Sequence, residues 1–380
     1  MGGTGNMSGR FDRLADRLAM LAARRAKAAR GFVSQPEPRS IGQVTRGRQL
    51  VQGTILLAGH LVEAPNRQLW DIDAPDRAFA EEAHGFAWLD DLAALGTREA
   101  RARAQDWTWD WIGRYGRGRG PGWTPDLTGR RIIRWVHHAT LLLNGRGQDA
   151  AEAFYQSLSR QAAYLARRWQ GAAEGPPRFG AVARRVYAGI SLIGMDALAD
   201  PATEALAAAC EADIDDEGGI PTRNPEELLE VLTLLTWSAS AMTETGQTVP
   251  QQVQEAILRI APALRTLRHA DGELARFHGG GRGGEGRLDL ALAAAGGRGD
   301  KPPVIAMGYA RLAGGRTTVI VDAATPPGGR AAETAHASTA AFELTSGRRP
   351  VVVNCGSGLS FGPMWRPAAA AAPRHSAAAK

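Results

Sequence analysis

Residues 332–358 read AETAHASTAAFELTSGRRPVVVNCGSG and place one histidine, His336, between small residues just ahead of two strand-like runs. Imidazole is the side chain best suited to moving a proton near neutral pH, so His336 is a candidate acid or base. A second concentration of chemistry is WTWDWIGRYGRGRGPGW, where Trp107, Trp109, Trp111, Tyr115 and Trp123 share a short basic segment. Aromatic faces stack on sugar rings, and guanidinium groups clamp carboxylate or sulfate in forked geometry. From Trp111 to Arg134 stand Arg114, Arg117, Arg119, Arg130, Arg131 and Arg134 against a single acid, Asp126. Such a patch points to an anionic partner, or to arginines that pair with acids elsewhere in the fold. Trp111, Tyr115, Trp123 and Arg134 are the candidate binding residues, with one or two rings expected at a groove and the others in the core.

Other residues carry weaker signals. Adjacent helical positions point about 100° apart, so His137 and His138 cannot easily share a metal. His269, beside Arg268 at a helix end, reads as a residue favoured by the helix dipole, and His278 as a strand or loop histidine with no special role. Gly279, Gly281 and Gly284 form G-x-G-x-x-G, but no βαβ unit encloses them and no acid stands at the ribose position, so a flexible connection is expected. Cys210 and Cys355 give no metal spacing and no disulfide framework, though a single bridge between them stays open.

These residues need a scaffold. At 380 residues, 44% hydrophobic and 22% charged, the chain has a globular composition and is long for one core, so two domains are expected. The net charge of +6 is modest for the size, and no apolar run approaches a bilayer's width. The first segment is not a secretory signal: Phe11, Leu14, Leu18 and Leu21 recur at helical spacing with charges between them. It reads as a basic amphipathic helix lying on the protein body or on a membrane surface, the body being the commoner arrangement. Helical patterns fill residues 130–268. One helix starts at Asn224-Pro225 with Glu227 completing a capping box and presents Leu228, Val231, Leu232, Leu235 and Met242. The next carries Val253, Ile257, Ile260, Leu264 and Leu267, with Pro262 expected to bend it. From residue 271 short β-branched runs follow, with hairpin turns at Gly314-Gly315 and Ser346-Gly347. Helices followed by strands mean segregated α and β parts: an arm over 1–45, a helical domain over 46–270 and a β domain over 271–380.

The stretches EGGIPTRNPEELLEVL (217–232), DGELARFHGGG (271–281), GYARLAGGRTTVIVDAA (308–324), HASTAAFELTSGRRPVVVNCGSG (336–358) and FGPMWRPAAAAAPRHS (361–376) resemble the heparinase II/III-like family of polysaccharide lyases. The resemblance covers most of the chain from about residue 105. It implies an α+β chain: an incomplete (α/α) toroid followed by an antiparallel β-sandwich. The chain ends soon after PRHS, where the family's β domain continues, so the sandwich is expected to be truncated or completed by another chain.

The implied chemistry is β-elimination of a uronate-containing acidic polysaccharide. The carboxylate is neutralised, a base takes the C5 proton and an acid protonates the leaving oxygen. By the resemblance, His336 matches the first histidine of a family H-x-H stretch and takes an acid/base or neutralising role. Arg178 stands at a substrate-binding asparagine position and replaces it as a cation. His375 matches a later histidine that often lies near zinc. Ser338 and Asn354 replace two ligands, so neither zinc nor another cofactor is expected. Glu227 stands where the family's catalytic tyrosine is expected, while Tyr155, Tyr164 and Tyr187 read as core. The resemblance thus implies a lyase. The alternatives are a degenerate glycan-binding or scaffold protein on the same fold, and a basic adaptor for nucleic acid or anionic lipid. An acidic polysaccharide is the expected partner, nucleic acid is not, and a homo-oligomer stays open. The family implies the cell envelope or periplasm; with no signal peptide seen, the cytoplasm stays open as well.

Overall fold

The structure, a computed structural model, describes residues 4–34, 37–296, 303–335 and 340–356. The chain forms two compact units, Met1–Ala205 with Ala241–Gln247 and Leu206–Ser240 with Thr248–Lys380. The division falls inside the segment read as one helical domain, and the segment read as an N-terminal arm belongs to the first unit.

The first unit is built from α1 (Thr4–Ala23), α2 (Val44–Gln52), the hairpin β1 (Thr54–Leu57) and β2 (His60–Glu63), α3 (Arg77–His84), α4 (Ala87–Leu95), α5 (Arg98–Tyr115), α6 (Pro125–His137), α7 (Ala139–Leu143), α8 (Gln148–Arg168) and α9 (Pro176–Ser191). Side-chain caps fix where several begin. Thr97 Oγ1 accepts the amide of Ala100 at 3.2 Å, and Thr124 Oγ1 that of Leu127 at 3.3 Å ahead of Pro125. Gly96, in the left-handed region at φ 67°, ends α4 so that α5 can turn away.

α1 lies along α8, but through small residues. Ala19 and Ala23 are buried, and Asp16 accepts from Tyr164 Oη at 2.9 Å and Arg168 Nε at 2.7 Å. Leu14, Leu18 and Leu21 are 54%, 59% and 52% exposed, so the leucine stripe expected to cover the body faces outward.

Two helices run through the division, α10 (Ala199–Asp213) and α11 (Pro225–Glu244); α12 (Gln251–Thr266) and α13 (Arg287–Ala294) follow. Asn224 Oδ1 caps α11 by accepting the amides of Glu226 (3.0 Å) and Glu227 (3.3 Å), and the predicted apolar faces of α11 and α12 are buried. Pro262 sits inside a continuous α12. The sheet is an antiparallel meander in the order β3 (Ile305–Ala306), β4 (Tyr309–Gly314), β5 (Thr317–Asp322), β6 (Phe342–Ser346), β7 (Arg349–Val352). Hairpins close at the two predicted turns, with Gly314 opposite Thr317 and Ser346 opposite Arg349. Cys210 and Cys355 are both free thiols.

Candidate functional site

The aromatic segment of α5 packs around a cation. Arg131 of α6 has no exposed surface, and its guanidinium lies 4.1 Å from the ring centroid of Trp111. Its Nε donates to Gln161 Oε1 at 2.7 Å, and one terminal nitrogen donates to the carbonyls of His84 (3.0 Å) and Gly122 (3.1 Å). A planar group with five donors can satisfy such neutral acceptors where an ammonium could not, and a desolvated cation over indole adds about 2 kcal/mol. Burial pulls its pKa down to about 9. Trp111 Nε1 donates to His84 Nδ1 at 2.9 Å, and burial, with the charge of Arg131, brings His84 down to about 3.

A second cluster lines an open cavity of about 430 Å³ in the same unit. His137 and His138 border it with Thr97, Arg101, Thr140 and Asn144. His138 Nε2 lies 2.8 Å from Asp90 Oδ1, which also accepts from Ser40 Oγ at 2.7 Å, and Arg134 Nε donates to Asp90 Oδ2 at 3.1 Å. Burial alone would raise Asp90, but Arg134 and His138 outweigh it and hold the carboxyl well below its usual range. His137 Nε2 lies 3.1 Å from Tyr187 Oη. Burial brings His137 down to about 3 and Tyr187 up to about 12, which makes the imidazole a weaker base and the phenol a weaker acid. The cavity, which Glu37 also lines, offers hydroxyls, an amide, imidazoles, one guanidinium and one carboxylate to a polar ligand.

In the second unit the inward face of the sheet carries acids. Asp322 of β5 is buried with His278 Nε2 at 3.1 Å and Arg223 at 2.5 Å. Glu343 of β6 is buried with His269 Nε2 at 2.8 Å and accepts the amide of Asn354 at 2.8 Å. These pairs correct two readings. His269 does not serve a helix end but faces a strand carboxylate, and His278, in the left-handed region at φ 45°, is fully buried against another. The glycines after it form a loop fastened to α11, Gly281 donating to Glu226 Oε2 at 2.7 Å.

Of the predicted site residues, Trp111, Tyr115 and Trp123 share one aromatic cluster, while Arg134 and Arg178 have partners outside it. Trp111 has no exposed surface and Trp123 is 4% exposed, its Nε1 donating to Tyr115 O at 2.9 Å; neither offers an open face to a sugar in this conformation. Tyr115 is partly exposed, its ring 5.0 Å from that of His84. Arg134 is committed to Asp90. Arg178, in the first turn of α9, donates to Ala172 O at 3.3 Å and lies 3.5 Å from Glu174. Tyr164 and Tyr187 are buried, as read. Glu227 accepts from Thr222 Oγ1 at 2.6 Å, which ties it to the loop before α11. His336 and His375 lie outside the described residues. Among the described residues no group of three or more His, Cys, Asp or Glu could hold a metal, and no helix is long and apolar enough to cross a membrane. The sequence reading missed Arg131, the Tyr187–His137 pair and the two strand acids; only the excess of arginine over acid near Trp111 hinted at the first.

Helices followed by an antiparallel sheet are the order of elements that the resemblance implies, and the comparisons agree. Residues 297–379 match the family model described as heparinase II/III-like, C-terminal, and the fold is that of heparinase III. The crystal structure of heparinase III superposes with a TM-score of 0.66 at 12% identity, covering 93% of this chain and 64% of that one. Heparan sulfate lyase HepC from Pedobacter heparinus gives 0.53 at 15% identity, covering 92% and 61%. FtsZ-localized protein C of Caulobacter vibrioides is 31% identical over 354 residues, 90% of this chain and 58% of that protein. The chain thus spans about three-fifths of the length of the relatives it matches.

Proposed function

We propose that this chain is a binding or scaffold protein on the heparinase II/III-like fold, without polysaccharide cleavage, and that it localises with FtsZ as the name of its Caulobacter relative says of that protein. The observation that carries this reading is the His137–Tyr187 pair. It joins the two residue types that β-elimination uses, yet both are buried, and burial leaves the imidazole a weak base and the phenol a weak acid. Glu227, at the position of the family's tyrosine, is fastened by Thr222 and Asn224. The test is sedimentation of the purified chain with polymerised FtsZ. Co-pelleting above the level of an unrelated protein is expected, and its absence would remove the FtsZ part of the proposal.

A second reading is an active lyase on a uronate polysaccharide, with His336 and Arg178 catalytic and Trp111, Tyr115, Trp123, Arg134 and His375 contacting substrate. The family match over 297–379, which contains both His336 and His375, favours it. β-Elimination leaves a conjugated double bond, so near-ultraviolet absorbance with a panel of uronate polysaccharides separates the two readings. The first expects a flat trace with folded protein. A steady rise abolished by His336→Ala would establish the second.

A further inference from the structure

Three acid-free stretches of the first unit meet at one place. Residues 17–36, 111–125 and 153–173 contain no Asp or Glu, but they carry Arg17, Arg24, Arg25, Lys27 and Arg30, then Arg114, Arg117 and Arg119, then Arg160, Arg167 and Arg168. The meeting is fixed by packing and by hydrogen bonds, two of which involve no charged group. Gln156 Nε2 donates to Ala26 O at 2.9 Å and the Ala29 amide to Ser159 Oγ at 2.7 Å, which sets the chain after α1 against the middle of α8. Arg24 Nε donates to Arg117 O at 3.0 Å, which ties the end of α1 to the turn after α5. A Cβ on Gly118 would meet Met20 at 3.2 Å, so that turn abuts α1 directly.

Arg160 projects from α8 into this junction. Its Nε is enclosed without a hydrogen-bond partner, and the charges of Arg117 and Arg24 act on its guanidinium. Two acids of the same helices are already engaged elsewhere: Asp16 of α1 by Arg168 and Tyr164, Asp110 of α5 by Arg114. Among the described residues no carboxylate pairs with Arg24, Arg117 or Arg160. Like charges held together by packing raise the energy of the junction unless an anion neutralises them.

We propose that Arg24, Arg117 and Arg160 form a receptor for a tetrahedral oxyanion of the phosphate class, carried by a free phosphate compound or by a lipid headgroup. Guanidinium forks match such oxygens in bidentate geometry, and an anion there would give Arg160 Nε its missing acceptor.

The test uses the full chain with two probes. Inorganic phosphate is titrated against chloride at matched ionic strength while the melting temperature is followed. Vesicles of phosphatidylglycerol with phosphatidylcholine are sedimented beside phosphatidylcholine alone. Arg160→Gln and Arg117→Gln remove the receptor charges, and Arg98→Gln, exposed on α5, removes one charge elsewhere. The expected result is a phosphate-specific rise in melting temperature, or at least fivefold stronger retention on the anionic vesicles, lost in both receptor variants and kept in Arg98→Gln. A phosphate effect alone assigns a soluble ligand; a vesicle effect assigns a headgroup. Arg117 lies in a turn, so its variant reads the proposal even if Arg160→Gln fails to fold. Equal behaviour of the parent and Arg117→Gln with both probes, or equal loss in Arg98→Gln, would overturn it.

Discussion

In the first unit His84 and His137 are buried against indole, phenol and guanidinium groups while His138 faces the Asp90 carboxylate, whereas in the second His269 and His278 each face a buried carboxylate. The same residue type is made tolerable in opposite ways. The first unit keeps His84 and His137 neutral and leaves one buried cation, Arg131, to neutral acceptors. The second sets Asp322 between His278 and Arg223, and Glu343 against His269. The difference teaches that buried histidines in one chain can be held by different kinds of partner, and that those described here are explained by packing before chemistry is invoked.

The largest expected effect tests the hub. Arg131→Met leaves Gln161 and two buried carbonyls without their donor, so it should cost about 4 kcal/mol, read as faster segment-resolved hydrogen exchange in the first unit. Equal acceleration in the second unit would show that the two are not energetically separable. Next, Asp322→Asn strips the carboxylate from two buried partners and should cost about 3 kcal/mol, confined to segments of the second unit.

The pH dependence sharpens the same contrast. His84 and His137 have folded pKa values near 3, below the ordinary 6.5. Below pH 6.5 the unfolded chain therefore takes up protons that the folded unit refuses, and stability falls with pH, by at most about 3 kcal/mol per histidine at pH 4. For Asp322 burial acts to raise the pKa, but His278 and Arg223 prevail and the net shift is downward. Its stabilisation is present above pH 3.8 and is lost as pH falls through the lowered folded value. Acid titration should thus loosen the first unit before the second, and simultaneous loss would break the comparison. The smallest effect belongs to Arg178→Ala. The side chain is about one-third exposed, so stability should change by no more than about 0.5 kcal/mol in urea unfolding.

The order of elements was readable because periodicity reports which face is buried. The apolar spacing of α11 and α12, the Asn224-Pro225 start and both hairpin turns all reappear in the structure. α1 was readable as a helix but not in its orientation: leucines were expected inward, and the close approach made by Ala19 and Ala23 reverses that. The strand acids were hidden because TTVIVD is apolar on both alternating faces, so no pattern marks Asp322 as inward. Trp111 and Trp123 could not be assigned to groove or core from sequence, since a ring that stacks on sugar and a ring that fills space are the same residue. His336 and His375 keep the roles the resemblance implies as proposals.

The enclosure of Arg131 has a practical consequence for solution spectroscopy. Its Nε–H donates to Gln161 with no solvent-exposed surface on the residue, so that proton can exchange with water only when the first unit opens. Guanidinium protons on exposed arginines exchange quickly and vanish from spectra. This one should persist as a separate, slowly exchanging signal, and its decay in deuterated buffer would report the opening free energy of the whole aromatic core from a single atom.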